Sequence, residues 1–309
     1  MNMGLAHTVK HRKLLGNGLL LLTALIWGTA FAFQRAGMDS IEPITFNAAR
    51  MALAAVAVGF VAFLTRDRTA RASRTGTTVV GGICCGVFLF LGSVFQQMGL
   101  VYTTAGKAGF ITAMYILLVP VIGVAMLGKK SSWLVWVAVL LGVVGMYFLC
   151  MVGEFGLSRG DLLLCVCAVF FSCHILCCDY FVRRGNPICI SAIQFATVTV
   201  ASAVAALVAE RPSMEKLVSA AIPIVYCGIV SGGIGYTLQM IAQKYTEPTV
   251  ASLLMSMESV FAVIAGAVLL HEHLSARELS GCVIMFVAIV LVQVPLPRED
   301  RQKQARRRR

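Results

Sequence analysis

Hydrophobic residues fall into ten long runs along the 309-residue chain, at 16–35, 42–65, 76–99, 106–127, 132–152, 159–181, 187–209, 218–243, 248–270 and 275–295. The runs are separated by short stretches holding Gly, Pro or charge, as at 39–43, 66–76, 128–130, 183–187 and 210–213. A helix crossing a hydrocarbon core of about 30 Å needs roughly 20 apolar residues, and each run supplies about that. Period-two alternation is absent, and backbone groups in lipid must be satisfied within their own segment, so the runs predict helices. No connection is long enough for a separate soluble domain. The first run follows Lys10-His11-Arg12-Lys13 and has the outline of a signal peptide. Its apolar stretch is too long for one and no small-residue cleavage site follows, so it predicts a retained first span.

Composition strengthens this reading. Hydrophobic residues make up 59% and charged residues 13%, against about 25% charged in an ordinary globular chain. Mean hydropathy is +0.85. The net charge of +12 raises the question of nucleic acid, but the placement of the basic residues answers it. With the N-terminus inside, the cytoplasmic segments hold nineteen Lys and Arg, seven of them in the last twelve residues, and the opposite side holds six. That asymmetry orients both termini toward the cytoplasm in a cytoplasmic (inner) membrane. The Arg-rich tail reads as an anchor to anionic headgroups rather than a nucleic-acid arm.

A shift of 143 residues lays segments 3–5 over segments 8–10. Gln96 then meets Gln239, Tyr102-Thr103 meets Tyr245-Thr246, Ala108 meets Ala251, Met114 meets Met257 and Gly123 meets Gly266. Each half has five spans, so the second must enter the membrane from the opposite side. The expected fold is an all-α membrane protein with ten transmembrane helices as two inverted five-helix repeats, 16–152 and 159–295. A cytoplasmic N-terminus (1–15) and a basic cytoplasmic tail (296–309) flank them. Inverted repeats build many secondary transporters, with a substrate site near the midplane between the halves. Duplication without transport is the plainer alternative.

Ionisable groups at membrane depth cost about 2.5–3.5 kcal/mol each on insertion scales, so each needs a reason. Glu258 lies mid-way along segment 9, on an arc of Ala251, Ser256, Ser259, Ala262 and Gly266 that should face the bundle. It reads either as a contact for a cationic group or a proton carrier, or as a structural carboxylate bonded to a neighbouring Ser or Tyr. His174 is a proton relay or a packing residue. Arg50 either snorkels outward or pairs with an acidic group or a substrate carboxylate. Asp179 and Arg183 have the spacing of a helical ion pair, and Lys107 opens segment 4 at the interface. Trp27, Gln96, Gln97, Tyr115, Tyr236 and Gln239 are polar or amphipathic groups within spans. Tyr115 occupies the repeat position of Glu258, which would set a hydroxyl against a carboxylate across one cavity.

Eleven cysteines lie almost entirely within spans and form no paired framework, so they read as packing residues rather than disulfides or metal ligands. His271-Glu272-His273 lacks the H-E-x-x-H spacing, and G-x-S-x-G, P-loop and G-x-G-x-x-G motifs are missing. No catalytic residue, metal or cofactor is expected.

Several stretches together are similar to a known family. Ala24-Leu25-Ile26-Trp27-Gly28-Thr29-Ala30-Phe31 resembles its aromatic-Gly-small opening, and Phe46 with Arg50 resembles its second span. Residues 105–115, ending at Val119-Pro120, resemble its small-residue span. Met257-Glu258-Ser259 with Leu270-His271-Glu272 resembles its Glu-Pro and terminal Glu pair, with Ser259 in place of Pro and Lys129 where the first half would carry its terminal Glu. The family is the drug/metabolite transporter superfamily, in its ten-span EamA-type branch. The resemblance implies a secondary active transporter that moves a small organic metabolite or drug, amino-acid-like molecules among them, by alternating access and toward export. With no nucleotide-binding motif in the sequence, the energy is expected from an ion gradient or exchange, protons through Glu258 being one route, and the resemblance implies homodimer contacts through segments 5 and 10. The competing classes are a non-transporting scaffold or receptor and an intramembrane enzyme, for which His174, Asp179 and Glu258 are too few.

Overall fold

The computed structural model describes residues 2–65, 73–128, 133–150, 158–269 and 276–293. The basic tail 296–309, the loop with Arg66, Arg68 and Arg71, the pair Lys129 and Lys130, and residues 271–273 lie outside them. Among the described residues every regular element is helical. In chain order these are α1 (Asn2–Gly37), α2 (Pro43–Leu64), α3 (Ser73–Leu100), α4 (Ala105–Thr112), α5 (Tyr115–Leu127), α6 (Trp133–Cys150), α7 (Arg159–Val182), α8 (Pro187–Ala209), α9 (Met214–Ser219) and α10 (Ala221–Val225). A π-helical stretch, Tyr226–Tyr236, continues into α11 (Thr237–Gln243), followed by α12 (Pro248–Met255), α13 (Glu258–Leu269) and α14 (Ala276–Gln293).

Among the described residues, eight segments are long and apolar enough to cross a membrane: Lys13–Gly37, Pro43–Leu64, Thr75–Leu100, Ala105–Met126, Arg159–Val182, Pro187–Ala209, Ala221–Gln243 and Pro248–Leu269. Each coincides with one of the ten hydrophobic runs. The two remaining runs fall on α6 and α14, whose apolar stretches Trp133–Gly145 and Leu279–Ala288 are shorter. These two helices pack against each other.

Polarity is inverted relative to a water-soluble fold. Phe63 (72% exposed), Val208 (85%), Leu207 and Val204 point outward, while Asn47, Gln97, Gln194, Gln239 and Gln243 are fully buried. Lipid accepts the outer surface, whereas a buried amide needs hydrogen-bonding partners. α2 lies along α8, α3 along α7 and α8, and α1 along α13 and the π stretch. The α1–α13 contact is close because residue 28 is glycine. A Cβ there would sit 2.4 Å from Phe261 Cβ and 2.7 Å from the Glu258 carbonyl oxygen. Small residues at helix crossings permit such approach in membranes.

Start signals in the sequence explain where the helices begin. Pro43, Pro187 and Pro248 open α2, α8 and α12, where proline costs no hydrogen bond. Asn186 Oδ1 accepts from the backbone N–H groups of Ile188 and Cys189. Ser158 and Asp161 form a reciprocal capping box on α7. Glu210 does the same work across the fold. Its carboxylate accepts from the backbone N–H groups of Ile44 and Thr45 (2.9 and 2.7 Å) and from the Thr45 hydroxyl (2.7 Å), at the positive end of α2. At the same end of the bundle the Lys216 ammonium donates to Glu42, and this bond holds the Glu42 carboxyl below its ordinary range. At the opposite end Arg183 pairs with Asp179 (2.8 Å) and donates to the carbonyls of Gln243 and Lys244, tying α7 to α11.

Two spans are broken near their middles. One hydrophobic run becomes α4 and α5, and another becomes α12 and α13. Each is interrupted by a single tightened turn at 113–114 and 256–257. The tightening has the same bond pattern in both places. Met114 N–H donates to Ile111 O and Ile116 N–H to Ala113 O, while Met257 N–H donates to Leu254 O and Ser259 N–H to Ser256 O. Each pair of bonds is separated by 143 residues, the shift that aligned the two halves of the sequence.

A candidate substrate cavity between two broken spans

The two breaks place Tyr115 and Glu258 at the first position of α5 and of α13. Irregular backbone is tolerated at membrane depth where it lines a cavity, and it does so here. A small cavity is lined by Trp27, Phe31, Gln34, Arg50, Gln96, Thr112, Tyr115, Phe171, His174, Ile175, Ser231, Tyr236, Gln239 and Glu258. Of the residues singled out from sequence, Glu258, Tyr115, Gln96, Gln239, Trp27, His174, Arg50 and Tyr236 are in that lining and Gln97 is not. Apart from Trp27, each is at most 6% exposed.

Each polar group has a distinct environment. Tyr115 Oη donates to Glu258 Oε1 at 2.8 Å across the break, so the bond to a neighbouring Tyr that the sequence left open is made. The carboxylate has no cationic partner within ion-pair distance among the described residues. Trp27 Nε1 donates to the Ser231 carbonyl at 3.2 Å, and its ring lies 4.6 Å from Tyr236. Of the glycines in the π stretch, Gly228 and Gly232 lie against α2, at Arg50, Leu53 and Ala54, and Gly235 lies against α1. A Cβ on Gly235 would meet Trp27 Nε1 at 2.7 Å. His174 Nε2 lies 3.1 Å from Gln194 Oε1, and its ring meets Tyr236 edge-on at 5.9 Å. Gln96 Nε2 donates to Thr112 Oγ1 at 3.4 Å.

Arg50 does not snorkel outward. It is 2% exposed and is held from within by amide oxygens. Its Nε–H and one Nη2–H go to Asn47 Oδ1 (3.1 and 2.9 Å), and one Nη1–H goes to Gln34 Oε1 (3.1 Å). Gln239 is fully buried and neither its Nε2 nor its Oε1 has a protein partner. A buried polar group left open in this way calls for an explanation, and a bound ligand or water supplies one.

Other candidates sit elsewhere. Asp179 and Arg183 form the expected i, i+4 pair. Lys107 Nζ pairs with Asp161 at 2.9 Å, joining α4 to α7. None of the nine cysteines whose side chains the structure describes forms a disulfide. Cys85 touches Cys177 (3.5 Å) and Cys178 (3.8 Å) where α3 crosses α7. Among the described residues no group of three or more His, Cys, Asp or Glu could hold a metal ion.

The sequence reading missed Gln34, Thr112 and Ser231. Gln34 stands at the end of the first hydrophobic run beside Arg35, where a polar residue is ordinary at a helix terminus. Its spacing from Trp27 and Phe31, at i, i+4 and i+7, is the periodicity of one helical face and identifies it. Ser231 acts through its backbone carbonyl, for which side-chain chemistry gives no signal.

Comparison with known proteins agrees with the architecture. The sequence profile described as the EamA-like transporter family matches residues 14–151 and again 158–294. A protein of Archaeoglobus fulgidus described as an uncharacterized transporter is 31% identical over 284 residues, covering 89% of this chain and 84% of that protein. A solved crystal structure superposes with a TM-score of 0.74 at 19% identity, covering 92% of this chain and 96% of the other. At that identity the likeness speaks to fold alone.

Proposed function

The chain belongs to the EamA-like transporter family, and from this premise we propose that it is a secondary transporter exporting a small organic molecule across the cytoplasmic membrane by alternating access. It is a multi-pass membrane transporter that works on a small molecule in a lipid environment. The finer reading rests on the cavity at the two breaks. Its walls combine aromatic faces (Trp27, Tyr236, Phe31) with an acid, a guanidinium and an unpartnered amide, the mixture expected of a site that orients a small amphipathic molecule.

Two inverted repeats, 16–152 and 159–295, account for the matched turns 143 residues apart and for a bond between Tyr115 and Glu258, themselves 143 apart. Copies in opposite sense have outward-open and inward-open arrangements of similar energy, which is what alternating access requires. Both termini lie in the cytoplasm, as the distribution of Lys and Arg favours. Glu258, buried with no cation within ion-pair distance among the described residues, is the group that carries a coupling proton.

Counterflow of labelled metabolites in proteoliposomes tests the proposal, with Gln239→Leu as the decisive variant. Leucine removes two buried unpartnered polar atoms, so the variant should melt at or above the wild-type temperature while losing counterflow. A fall in stability with transport intact would refute the assignment of Gln239 to the site. Thiol-accessibility tagging that placed residues 66–74 and the C-terminal tail on different faces of the membrane would refute the inverted topology.

A further inference from the structure

The guanidinium of Arg50 is buried without an anion. Its hydrogen-bond partners are two neutral amide oxygens, and its face is covered by the Phe46 ring with the centroid 5.8 Å away. No carboxylate lies within ion-pair distance of it among the described residues. Buried charges in proteins are ordinarily paired, because an uncompensated one forfeits its hydration.

The supporting groups are themselves fixed. Asn47 Nδ2 donates to Ser93 Oγ and Ser202 Oγ at 3.0 and 2.9 Å, which aims Asn47 Oδ1 at the arginine. Gln34 Oε1 also accepts from Gln97 Nε2. α1, α2, α3 and α8 thus cooperate to hold the cation in place without neutralising it. A guanidinium carries five N–H donors. With Nε–H, one Nη1–H and one Nη2–H engaged, one N–H remains on each Nη, and Arg50 lines the cavity. An N–H free on each of two neighbouring nitrogens can meet the two oxygens of a carboxylate.

We infer that Arg50 is the anchor for a carboxylate on the transported molecule, with the rest of that molecule lying against the Trp27–Tyr236 aromatic wall. The inference rests on the cavity being the substrate site. It names the substrate class as small organic carboxylates with an apolar or aromatic body. Asn47 and Gln34 are positioning residues, holding the fork open rather than touching the ligand.

The test uses the full chain in nanodiscs with three probes of matched shape: hydrocinnamate, its neutral amide, and phenylpropylamine. Binding is read from the fluorescence of Trp27 in a Trp133→Phe, Trp136→Phe background, with empty nanodiscs as the partition control. Charge-assisted hydrogen bonds favour the carboxylate over the amide by roughly ten- to a hundred-fold in affinity. Arg50→Gln should abolish that preference while the amide still binds, and Arg50→Lys, a point charge without a fork, should keep only part of it. Equal binding of carboxylate and amide by the wild-type protein, or preference for the amine, overturns the inference and leaves the cavity as a binding site. Failure of all three probes to bind overturns the cavity as a ligand site, and the inference falls with it. The wild-type comparison needs no variant, so a misfolded Arg50→Gln protein cannot rescue the idea.

Discussion

Replacing Gly28 with alanine adds one methyl group at the tightest contact around the cavity. The new Cβ would lie 2.4 Å from Phe261 Cβ, 2.7 Å from the Glu258 carbonyl oxygen and 2.9 Å from the Ala262 nitrogen. Carbon atoms in ordinary contact stand about 3.5–4.0 Å apart, so the shortfall exceeds roughly 1 Å. Two of the three neighbours are backbone atoms of α13 and cannot rotate away, which forces α1 and α13 to separate. Overpacking of this kind costs about 1–3 kcal/mol, while exchanging a helical glycine for alanine returns roughly 0.5–1 kcal/mol. At about 2 °C per kcal/mol for a chain of this size, the apparent melting temperature should fall by a few degrees. Because Trp27 and Glu258 flank the contact, counterflow should fall as well. Gly18→Ala, on the same helix with nothing within 4 Å of its added Cβ, should melt at or slightly above the wild-type temperature. Thermal melts of both variants in one detergent, with counterflow alongside, make the comparison. A Gly28→Ala protein as stable and active as Gly18→Ala would mean that α1 and α13 do not meet as described.

Glu258→Gln keeps an acceptor for the Tyr115 hydroxyl but removes the charge, so it should fold normally and lose the pH dependence of flux; an unchanged pH profile would remove Glu258 from coupling. Tyr115→Phe does the converse, leaving a buried carboxylate without its donor, and should cost about 1–3 kcal/mol in thermal or denaturant melts. Glu210→Ala strips the N–H groups of Ile44 and Thr45 of their acceptor and should speed amide exchange at the start of α2 while leaving α12 unaffected. The Glu42 carboxyl is held low by Lys216, so its stabilisation is present above the ordinary carboxylate value and lost as pH falls through the lowered one. Lys216→Met should therefore lower the melting temperature at neutral pH and converge on wild type in acid, with the gap shrinking in high salt.

Much of this fold was legible because hydropathy reports burial in lipid directly. The run 187–209 and α8 coincide, and 42–65 and 159–181 differ from α2 and α7 by one residue or so. What hydropathy could not show were the breaks at 113–114 and 256–257, since Ala113-Met114 and Ser256-Met257 continue the apolar composition while the hydrogen-bond pattern alone changes. The π winding at 226–236 was hidden for the same reason, although its four glycines and Ser231 were in view. At the site, groups with costly chemistry at membrane depth declared themselves, and they converge on one cavity. Gln34 did not, because a glutamine next to Arg35 at a helix end has an ordinary surface explanation. The environment of Arg50 was undecidable from sequence, since its partners Asn47 and Gln34 are neutral and one of them lies on another helix.

The hydrogen bond from Tyr115 to Glu258 joins two positions 143 residues apart, the shift that aligns the two halves of the sequence. If, as proposed, two inverted halves exchange conformations, almost every contact between them is swapped for its counterpart elsewhere in the protein. A contact between equivalent positions has no separate counterpart: it maps onto itself. On that proposal this bond persists through the whole working stroke, a fulcrum about which the halves rock.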